Sequence, residues 1–480
     1  MRGNMVGQST ASTESSIYDD DNASGKGVVR IAAVAALGGF LFGYDSAVIN
    51  GAVSAVEREF SADAASLGFA VASALLGAAA GALLAGRIAD RLGRLAVMRI
   101  AAVLFLVSAI VTGFAGSLSV LVIGRIIGGL GVGMASVIAP AYIAEIAPAR
   151  IRGRLASLQQ LAIVTGIFIS LLVDFMFATA AGGSSEPFWF GLDAWQWMFL
   201  AMAVPAVIYG ILSYTIPESP RFLISKHKIP AATAILTKLL GERNIELKIE
   251  RIRESMERET EPSWRDLKNP SGKIASIVWI GLLVSVFQQF VGINVIFYYS
   301  NVLWEAVGFD ESQAFTITVI SATINIATTL IAIASIDKFG RKPLLIIGSI
   351  GMTITLATMA LIFGTARVVD GKPVLEGLEG PIALIAANLF VVAFGMSWGP
   401  VTWVLLGEMF PNRMRAAALS LAAGGQWVAN WIITVTFPGL KDVSLALAYG
   451  LYAAFAALSL LFVMKFIQET KGKQLEDMHG

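Results

Sequence analysis

The chain has 480 residues, of which 56% are hydrophobic and only 14% are charged, and its mean hydropathy is +0.73. This composition lies outside the range of soluble globular domains and is typical of a membrane protein. The formal net charge of +1 indicates no particular partner, no basic block points to nucleic acid, and the absence of cysteine excludes disulfide bonds.

The amino-terminal tail, residues 1–29, is predicted to be disordered and cytoplasmic. It contains the polar run STASTESSIYDDDNASGKG, which has too few apolar residues to build a core. It lacks a charged segment followed by a cleavage site, so we expect the first hydrophobic segment to remain as a membrane helix.

Twelve apolar segments follow, each near the length of about 20 residues that a helix needs to cross about 30 Å of hydrocarbon. We number the corresponding helices 1 to 12. The predicted spans are residues 31–52, 66–86, 95–116, 119–144, 155–178 and 195–216, then 274–300, 313–335, 343–365, 380–407, 416–437 and 444–467. The chain is therefore predicted to be an all-α membrane protein.

Lysine and arginine are concentrated in alternate loops. Loops rich in these residues face the cytoplasm in membrane proteins. They are Arg87, Arg91, Arg94 and Arg99 between helices 2 and 3, Arg150, Arg152 and Arg154 between helices 4 and 5, Lys338, Arg341 and Lys342 between helices 8 and 9, and Arg413 and Arg415 between helices 10 and 11. Both termini are therefore predicted to be cytoplasmic.

The sequence repeats itself. DRLGR at residues 90–94 recurs as DKFGR at residues 337–341, Glu145 recurs as Glu408, and IPESPR recurs as IQETKGK after the sixth helix of each half. Parallel halves of this kind place a substrate site at their interface. The predicted domains are two six-helix halves, 30–216 and 274–467, an intracellular helical linker, 217–273, whose simplest role is a solvated connection, and a cytoplasmic tail, 468–480.

Small residues and one proline mark special positions in the helices. Gly77 and Gly81 in helix 2, and the glycines of GRIIGGLGVG in helix 4, have the spacing that allows two helices to pack closely, which accounts for them fully. Pro400 with Gly399 predicts a kink in helix 10, next to Trp403, and we interpret it as a candidate gating bend.

Seven motifs, in order along the chain, carry a family resemblance. GRIADRLGR, GRIIGGLGVG, PAYIAEIAPARIRG, PESPRFL, QQFVGIN, DKFGRK and QETKGK together resemble the sugar porters of the major facilitator superfamily over essentially all of residues 30–473. Bacterial proton-coupled xylose and glucose symporters are especially similar across SWGPVTWVLLGEMFPN. The resemblance implies the major facilitator fold, with twelve helices in two halves, and a transport function without catalytic residues, cofactors or metals.

Candidate sugar ligands are amide and aromatic side chains within the predicted helices. An amide offers a donor and an acceptor to hydroxyl groups, and a flat aromatic ring matches the apolar C–H face of a sugar. The candidates are Phe42 on helix 1, Gln160 on helix 5, Gln288, Gln289, Asn294 and Tyr298 on helix 7, Asn325 on helix 8, Trp403 on helix 10, and Gln426, Trp427 and Asn430 on helix 11. The alternative is that the amides only hold helices together.

Helix 7 must be interrupted for its amides to share a site. On an ideal helix Asn294 lies roughly 240° around from Gln288, and Gly292 between them is a candidate break. The resemblance implies such a discontinuous helix, and it implies sugar contacts for Gln160, Gln288, Gln289, Asn294, Trp403 and Gln426. One position departs from the xylose symporter, since Ile167 stands where that protein has a second glutamine, and this favours glucose or another hexose.

Asp45, in FLFGYDSAV, is an acid inside helix 1, and neither histidine of the chain lies in a predicted membrane helix. It is predicted to lie about 22 Å from the cytoplasmic edge, and Arg125 of helix 4 about 9 Å from the opposite edge. These depths coincide in a core about 30 Å thick, so the two side chains are predicted to pair. The pair is either a permanent link or a switch that protonation opens. The resemblance favours the switch, because the symporters have aspartate at the GYD position and facilitative glucose carriers have asparagine.

Charged residues at the cytoplasmic helix ends form a predicted gate. The members are Asp90, Arg91, Glu145 and Arg152 in the first half and Asp337, Arg341, Glu408 and Arg415 in the second. We expect them to form ion pairs across the halves that close the cytoplasmic side in the outward-facing state. The alternative is that the arginines only orient the chain.

The sequence therefore predicts a secondary active transporter, not an enzyme, which carries a monosaccharide with a proton into the cytoplasm by alternating access. Its partners are the sugar, the proton and the lipid bilayer of the cell membrane, and it is expected to be monomeric. The alternatives are a facilitative sugar uniporter and a polyol, inositol or pentose symporter. A sugar sensor that does not transport is less favoured, because the tail after helix 12 is short.

Overall fold

The computed structural model describes residues 25–147, 152–240, 245–258, 264–269, 271–370, 372–411 and 414–470. Within them, long helices form a single bundle. Helices 1 to 6 are Gly25–Ala47 with Ile49–Glu59, Ala64–Leu92, Arg94–Gly113, Leu118–Ile146, Arg152–Ala181, and Ala194–Leu200 with Ala203–Leu212. Helices 7 to 12 are Ser276–Phe290 with Ile293–Ala306, Glu311–Phe339, Arg341–Thr365, Glu379–Gly395 with Trp398–Met409, Arg415–Val443, and Leu445–Phe466.

These helices confirm the prediction of twelve membrane helices. In the described residues, eleven are long and apolar enough to cross a membrane. The remaining one, helix 11, is 29 residues long but includes Gln426 and Asn430. Amide side chains lower its hydropathy, and both residues belong to the predicted sugar site. Its weaker apolar character therefore follows from these two amides.

Two of the helix breaks follow from single residues. Gly292, at the break of helix 7, has φ of +82°, a left-handed conformation that glycine adopts without strain. Helix 10 is interrupted at Met396 and Ser397, just before Pro400. Proline removes a backbone donor and its ring clashes with the carbonyl four residues earlier, which is that of Met396. Both predicted breaks are confirmed. Helices 1 and 6 are interrupted as well, at Val48 and at residues 201–202, and neither interruption was predicted.

Helices 2 and 4 approach each other through their glycines. A Cβ atom at Gly77 would collide with the carbonyl oxygen of Ile126, and one at Gly129 with that of Ala74. Any larger residue at these positions would push the helices apart, so the packing role predicted for the glycine motif is confirmed.

Shorter elements connect the long helices. Residues 217–273 contain the helices Pro220–Ser225, Ile229–Leu240 and Ile245–Arg258 and the 3-10 turn Trp264–Leu267. A small hairpin of β1 (Arg367–Val369) and β2 (Lys372–Val374) joins helices 9 and 10, and the sequence did not predict it.

We call the end of the bundle that carries the helix 2–3 and helix 8–9 connections the inner end, and the opposite end the outer end. The inner connections turn at Gly93 and Gly340, whose φ values are +99° and +86°. At the outer end, helices 2 and 8 begin at Asp63 and Asp310, whose side chains accept hydrogen bonds from the backbone amides of Ser66 and Gln313. The two halves therefore start corresponding helices in the same way.

Candidate functional site

The predicted partners Asp45 and Arg125 lie together inside the bundle. Arg125 Nη1 is 3.8 Å from Asp45 Oδ2 and donates a 2.6 Å hydrogen bond to the carbonyl oxygen of the same residue. Arg125 Nη2 lies 3.4 Å from the carbonyl oxygen of Val71. Both charged side chains are 3% exposed or less. The guanidinium thus keeps carbonyl partners that do not depend on the charge of the carboxylate.

Helix 4 makes room for this pair at Gly128. A Cβ atom there would lie 2.5 Å from Asp45 Oδ1 and 2.5 Å from Ser108 Oγ. Glycine is therefore required for the carboxylate to reach helix 4, a role beyond the helix packing that the motif predicted.

The amides of helices 7 and 11 form one connected network. Asn294 Nδ2 donates to Gln289 Oε1 at 2.5 Å, and Gln426 Nε2 donates to Gln288 Oε1 at 2.5 Å. Gln289 Nε2 lies 3.5 Å from Gln288 Oε1, which joins the two pairs. The break at Gly292 brings Asn294 around to its partners, as the helical geometry required.

Gln288 also fits the alternative role of holding helices together. It is 3% exposed, and its Nε2 donates at 2.9 Å to the carbonyl oxygen of Trp398 and at 3.3 Å to that of Gly399. These carbonyls lie at the start of the second segment of helix 10. Gln288 therefore connects helices 7, 10 and 11, whereas Asn294 is only half-buried and has no described hydrogen bond outside helix 7.

The aromatic candidates lie at more accessible positions. Trp403 is 46% exposed on the inner segment of helix 10, and the rings of Phe42 and Trp427 are 6.4 Å apart across the two halves. Gln160 is exposed on helix 5. Asn325 is half-buried and faces Gly395 near the break of helix 10, outside the amide network.

Tyr298 is placed differently from the other candidates. Its side chain lies beside Asn430, and it lines a small cavity together with Arg125 and Val71. It therefore lies between the amide network and the Asp45–Arg125 pair, rather than within the network itself.

Each half carries a charge cluster at its inner end. In the first, Arg94 makes a bidentate pair with Glu145, with N–O distances of 2.8 and 3.0 Å, and Ser219 donates to the same carboxylate. In the second, Arg341 pairs with Glu408 at 2.7 and 3.0 Å, and Thr470 donates to that carboxylate at 2.6 Å. The repeat seen in the sequence is thus a repeat of bonded groups.

The first cluster contains an arginine, Arg94, that the predicted gate set did not include. Glu145 is bonded to Arg94, whereas Arg91 is exposed. Asp90 lies 3.6 Å from Arg94, with its side chain 77% exposed. In an alignment of DRLGR with DKFGR, Arg94 is equivalent to Arg341. The repeat in the sequence therefore indicates that Arg94 belongs to the cluster. The described pairs lie within each half. Pairing across the halves stays a prediction for the outward-facing state, and the side chains of Arg152, Asp337 and Arg415 lie outside the described part of the chain.

An acid in each motif after the sixth helix caps the third helix of its half. Glu218 accepts from the backbone amides of Arg94 and Leu95 at 3.0 and 3.2 Å, and Glu469 accepts from those of Arg341 and Lys342, both at 3.0 Å. A carboxylate is favoured at a helix N-terminus by its free amides and by the helix dipole.

Glu218→Ala and Glu469→Ala are each expected to lower stability by about 1–2 kcal/mol, because two helix amides lose their acceptor. The measurement is thermal unfolding in detergent. Glu59→Ala, which changes an exposed acid at the outer end, is the control and should unfold like the parent. Equal midpoints for all four proteins would contradict the capping role.

Contacts that the sequence did not predict bridge the halves at the outer end. The side chain of Asn50 on helix 1 donates to the carbonyl oxygen of Phe297 at 3.1 Å and accepts from the backbone amide of Asn301 at 3.0 Å. Ser54 donates to Glu305 at 2.9 Å. Between described residues, the hydrogen bonds and ion pairs that join the two halves all lie at this end. They are Asn50–Phe297, Asn50–Asn301, Ser54–Glu305, Arg58–Glu311 and Ser184–Glu311.

Two buried polar residues on helix 5 were also missed. Gln159 is 8% exposed and Asp174 is fully buried, and neither side chain is hydrogen-bonded to another side chain among the described residues. A polar residue within an apolar span was the available signal for both.

An interface of two repeated half-bundles, with interrupted helices, an amide network and a buried acid–guanidinium pair, defines a membrane transporter for a polar solute. The chain belongs to the sugar (and other) transporter family, which it matches over residues 31–480, and it has the twelve-helix major facilitator fold.

Individual relatives cover nearly the whole chain. The glucose transport protein of Synechocystis sp. is 55% identical over 466 residues, which span 97% of this chain and 99% of that protein. The D-xylose-proton symporter of Escherichia coli K12 is 40% identical over 486 aligned positions, 94% of this chain and 95% of that protein. An inward open structure of the xylose transporter XylE from E. coli has a TM-score of 0.80 and 38% identity, covering 94% of this chain and 99% of that one.

Proposed function

We propose that this transporter is a proton-coupled symporter that carries a monosaccharide, glucose or another hexose, into the cytoplasm. The observation that carries the proposal is the position of the Asp45–Arg125 pair. Arg125 lines a cavity with Tyr298, and Tyr298 lies one turn beyond Asn294 of the amide network. A titratable group and a sugar-binding group are thus connected through one helix segment.

The outer segment of helix 7, Ile293–Ala306, is the proposed coupling element. Asn294, Tyr298 and Asn301 follow one another at spacings of four and three residues, so they lie along one face of the segment. Asn294 faces the amide network, and Tyr298 faces the Asp45–Arg125 pair. Asn301 takes part in the bridge to Asn50 at the outer end. A movement of this segment about Gly292 would therefore change all three sites together.

Protonation of Asp45 would remove the attraction of its carboxylate for Arg125. Arg125 would stay bonded to the carbonyl oxygen of Asp45 and near that of Val71, so the buried cation would not lose every partner. The neutral form of Asp45 would then be tolerated. Binding of the proton would change the relative energies of the outward-facing and inward-facing states. This is the property a proton-coupled carrier needs.

We propose that the inner end faces the cytoplasm of a cell membrane, with both termini on that side. The alternate basic loops lie at the inner end, which supports this orientation. The bridges at the outer end, together with the similarity to an inward open structure, support an inward-open state here. In that state Trp403 and Gln160 would face the open cavity, which fits their exposure.

The domain boundaries follow the repeat. We propose halves at 30–216 and 274–467, a solvated cytoplasmic linker at 217–273, cytoplasmic tails at 1–29 and 468–480, and a monomeric transporter. The helices within 217–273 support the linker assignment.

A hexose is proposed over a pentose for two reasons. Ile167 presents no amide where the xylose symporter pattern has glutamine, and a relative at 55% identity is a glucose transport protein. D-xylose is the second candidate, since a D-xylose-proton symporter is 40% identical.

Uptake into proteoliposomes tests both the substrate and the coupling. Labelled glucose, xylose and inositol are offered with and without an inward proton gradient. Glucose should accumulate above its external concentration only with the gradient, and adding it should make the external medium more alkaline. Equilibration without accumulation would identify a facilitator instead, and transport of none of the sugars would contradict the proposal.

Trp403→Ala should reduce affinity for pyranoses more than affinity for small linear polyols, because a ring offers a broader C–H face to the indole than a chain does. The measurement is binding of both ligand types to purified protein. Trp279→Ala is the control, since that residue is 52% exposed at the inner end of helix 7, outside the candidate set. Equal losses for both ligand types would indicate that Trp403 only packs.

A further inference from the structure

Asp174 is a buried acid that the proposed transport mechanism does not use. It lies on helix 5, about two turns from the outer end of that helix at Ala181. The residue is 0% exposed, and among the described residues no side chain hydrogen-bonds its carboxyl oxygens, which lie beside the backbone amide of Gly51. Ser170, one turn earlier on the same helix, also has a buried hydroxyl without a partner.

The carboxyl group lies against the first turn of the outer segment of helix 1. A Cβ atom at Gly51 would be 2.6 Å from the Cβ, Cγ and Oδ2 atoms of Asp174. Glycine at this position therefore allows the acid and the helix to touch. Helix 5 packs closely on helix 1 further inward as well, where Gly166 meets the carbonyl oxygen of Phe40.

No described ionised group offsets a charge on Asp174. The titratable side chain that faces it is Tyr44 of helix 1, a neutral phenol whose hydroxyl lies 3.4 Å from the carbonyl oxygen of Met198. The other titratable or charged residues on the helices packed against helix 5 are Lys26, Arg30, Asp45, Glu57, Arg58 and Glu59 of helix 1, Arg125, Tyr142 and Glu145 of helix 4, Tyr209 of helix 6, and Glu311, Asp337 and Lys338 of helix 8. None of those with described side chains forms an ion pair with Asp174.

An ionised carboxylate without a counter-charge is strongly unfavourable in a water-free interior, although the backbone amide of Gly51 in the first turn of the helix segment favours the charge in part. Because burial outweighs this single amide, the protonated form of Asp174 is favoured in the conformation observed. The same outer segment of helix 1, Ile49–Glu59, provides Asn50, Ser54 and Arg58 to the bridges at the outer end. The contact that buries Asp174 and the contacts that close the outer end thus belong to one rigid element.

We propose that Asp174 is a second proton-binding site of this transporter, and that its protonation permits the outer segment of helix 1 to close the outer end. When the outer end opens, the carboxyl group meets external water and releases its proton. When the segment closes, the group takes a proton from that water. The inference rests on the proposed alternating access but does not require Asp45 to carry the coupling proton.

Infrared spectroscopy tests the protonation directly. The parent for this comparison is Asp45→Asn, which removes the other buried acid. At neutral pH its spectrum should contain the carbonyl band of a buried protonated carboxylic acid, and the band should be lost in Asp45→Asn/Asp174→Asn. Identical spectra in this region for the two proteins would overturn the proposal.

Thiol labelling tests the closure. The chain has no cysteine, so Ser54→Cys introduces a single thiol at the outer bridge. In Asp45→Asn/Ser54→Cys, labelling by a membrane-impermeant maleimide should rise with external pH, by at most about tenfold per pH unit for one linked proton. Labelling is normalised at each pH to that of the denatured protein, which removes the pH dependence of the thiol itself.

Adding Asp174→Asn should hold labelling at a low level at every pH, because the neutral amide mimics the protonated acid. Glu186→Gln, which neutralises an exposed acid at the outer end, should leave the pH dependence unchanged. A pH dependence that survives Asp174→Asn, or that is already absent from its parent, would overturn the proposal. Failure of Asp45→Asn to uncouple uptake would instead count against the proposed coupling residue and leave this result intact.

Discussion

Asp45→Asn is expected to abolish accumulation of sugar against its gradient, while sugar binding and exchange of internal for external sugar persist. Asparagine has nearly the size of aspartate and resembles its neutral form, so the conformations reached by the protonated protein stay accessible. Arg125 keeps the backbone carbonyl of residue 45, 2.6 Å away, which does not change with the side chain. The buried guanidinium therefore has a partner in the variant, and the protein should fold.

The measurement for Asp45→Asn is proteoliposome uptake with an imposed proton gradient, together with the external alkalinisation that follows sugar addition. Both should vanish in the variant, whereas counterflow exchange should remain. Asp63→Asn is a matched control, because asparagine still caps helix 2 and the residue lies in an exposed outer loop. If Asp45→Asn still concentrates glucose under the gradient, the proton passes elsewhere and the Asp45–Arg125 pair is only structural.

Gln289→Ala and Asn294→Ala are each expected to weaken sugar binding by about 1–3 kcal/mol, a factor of about 5 to 150 in dissociation constant. The two amides are bonded to each other at 2.5 Å. A sugar hydroxyl that inserts between them meets a donor and an acceptor already positioned by the break at Gly292. Removing either leaves the hydroxyl with an unmatched group in a buried site.

Binding to the purified variants, by calorimetry or tryptophan fluorescence, measures this loss. Because the two residues share a bond, the double variant should lose less than the sum of the single losses. Asn388→Ala is the control, since this amide on the outer segment of helix 10 accepts from Ser321 of helix 8 and lies outside the network. Unchanged affinity in both single variants, with the protein folded, would remove helix 7 from the sugar site.

The charge clusters show how much of a structure a repeat in the sequence can predict. DRLGR and DKFGR locate both clusters, and their alignment identifies Arg94 and Arg341 as equivalent residues. The motif alone did not distinguish Arg91 from Arg94, because both lie at the same helix end. The turn at Gly93 directs the chain so that Arg94 reaches Glu145 and Arg91 remains exposed.

Sequence by itself determined the twelve helices, their division into repeated halves, the break at Gly292 and the kink before Pro400. It also determined the pairing of Asp45 with Arg125. These follow from local rules: apolar length sets a span, glycine and proline set a break, and depth in the bilayer sets which charges can meet. Each of these features depends on residues close together in the chain or on the depth of a residue along its own helix.

Only the tertiary structure decided which faces of the helices meet. It placed Tyr298 beside Arg125 rather than in the amide network, and it bonded Gln288 to the backbone of helix 10. It also buried Asp174 against Gly51 without an ionic partner among the described residues. It also revealed the bridges from Asn50 and Ser54 at the outer end. In an all-apolar span the hydrophobic pattern does not distinguish a lipid-facing side from a protein-facing one. The rotation of each helix is therefore set by the packing of its neighbours, which no local stretch of sequence contains.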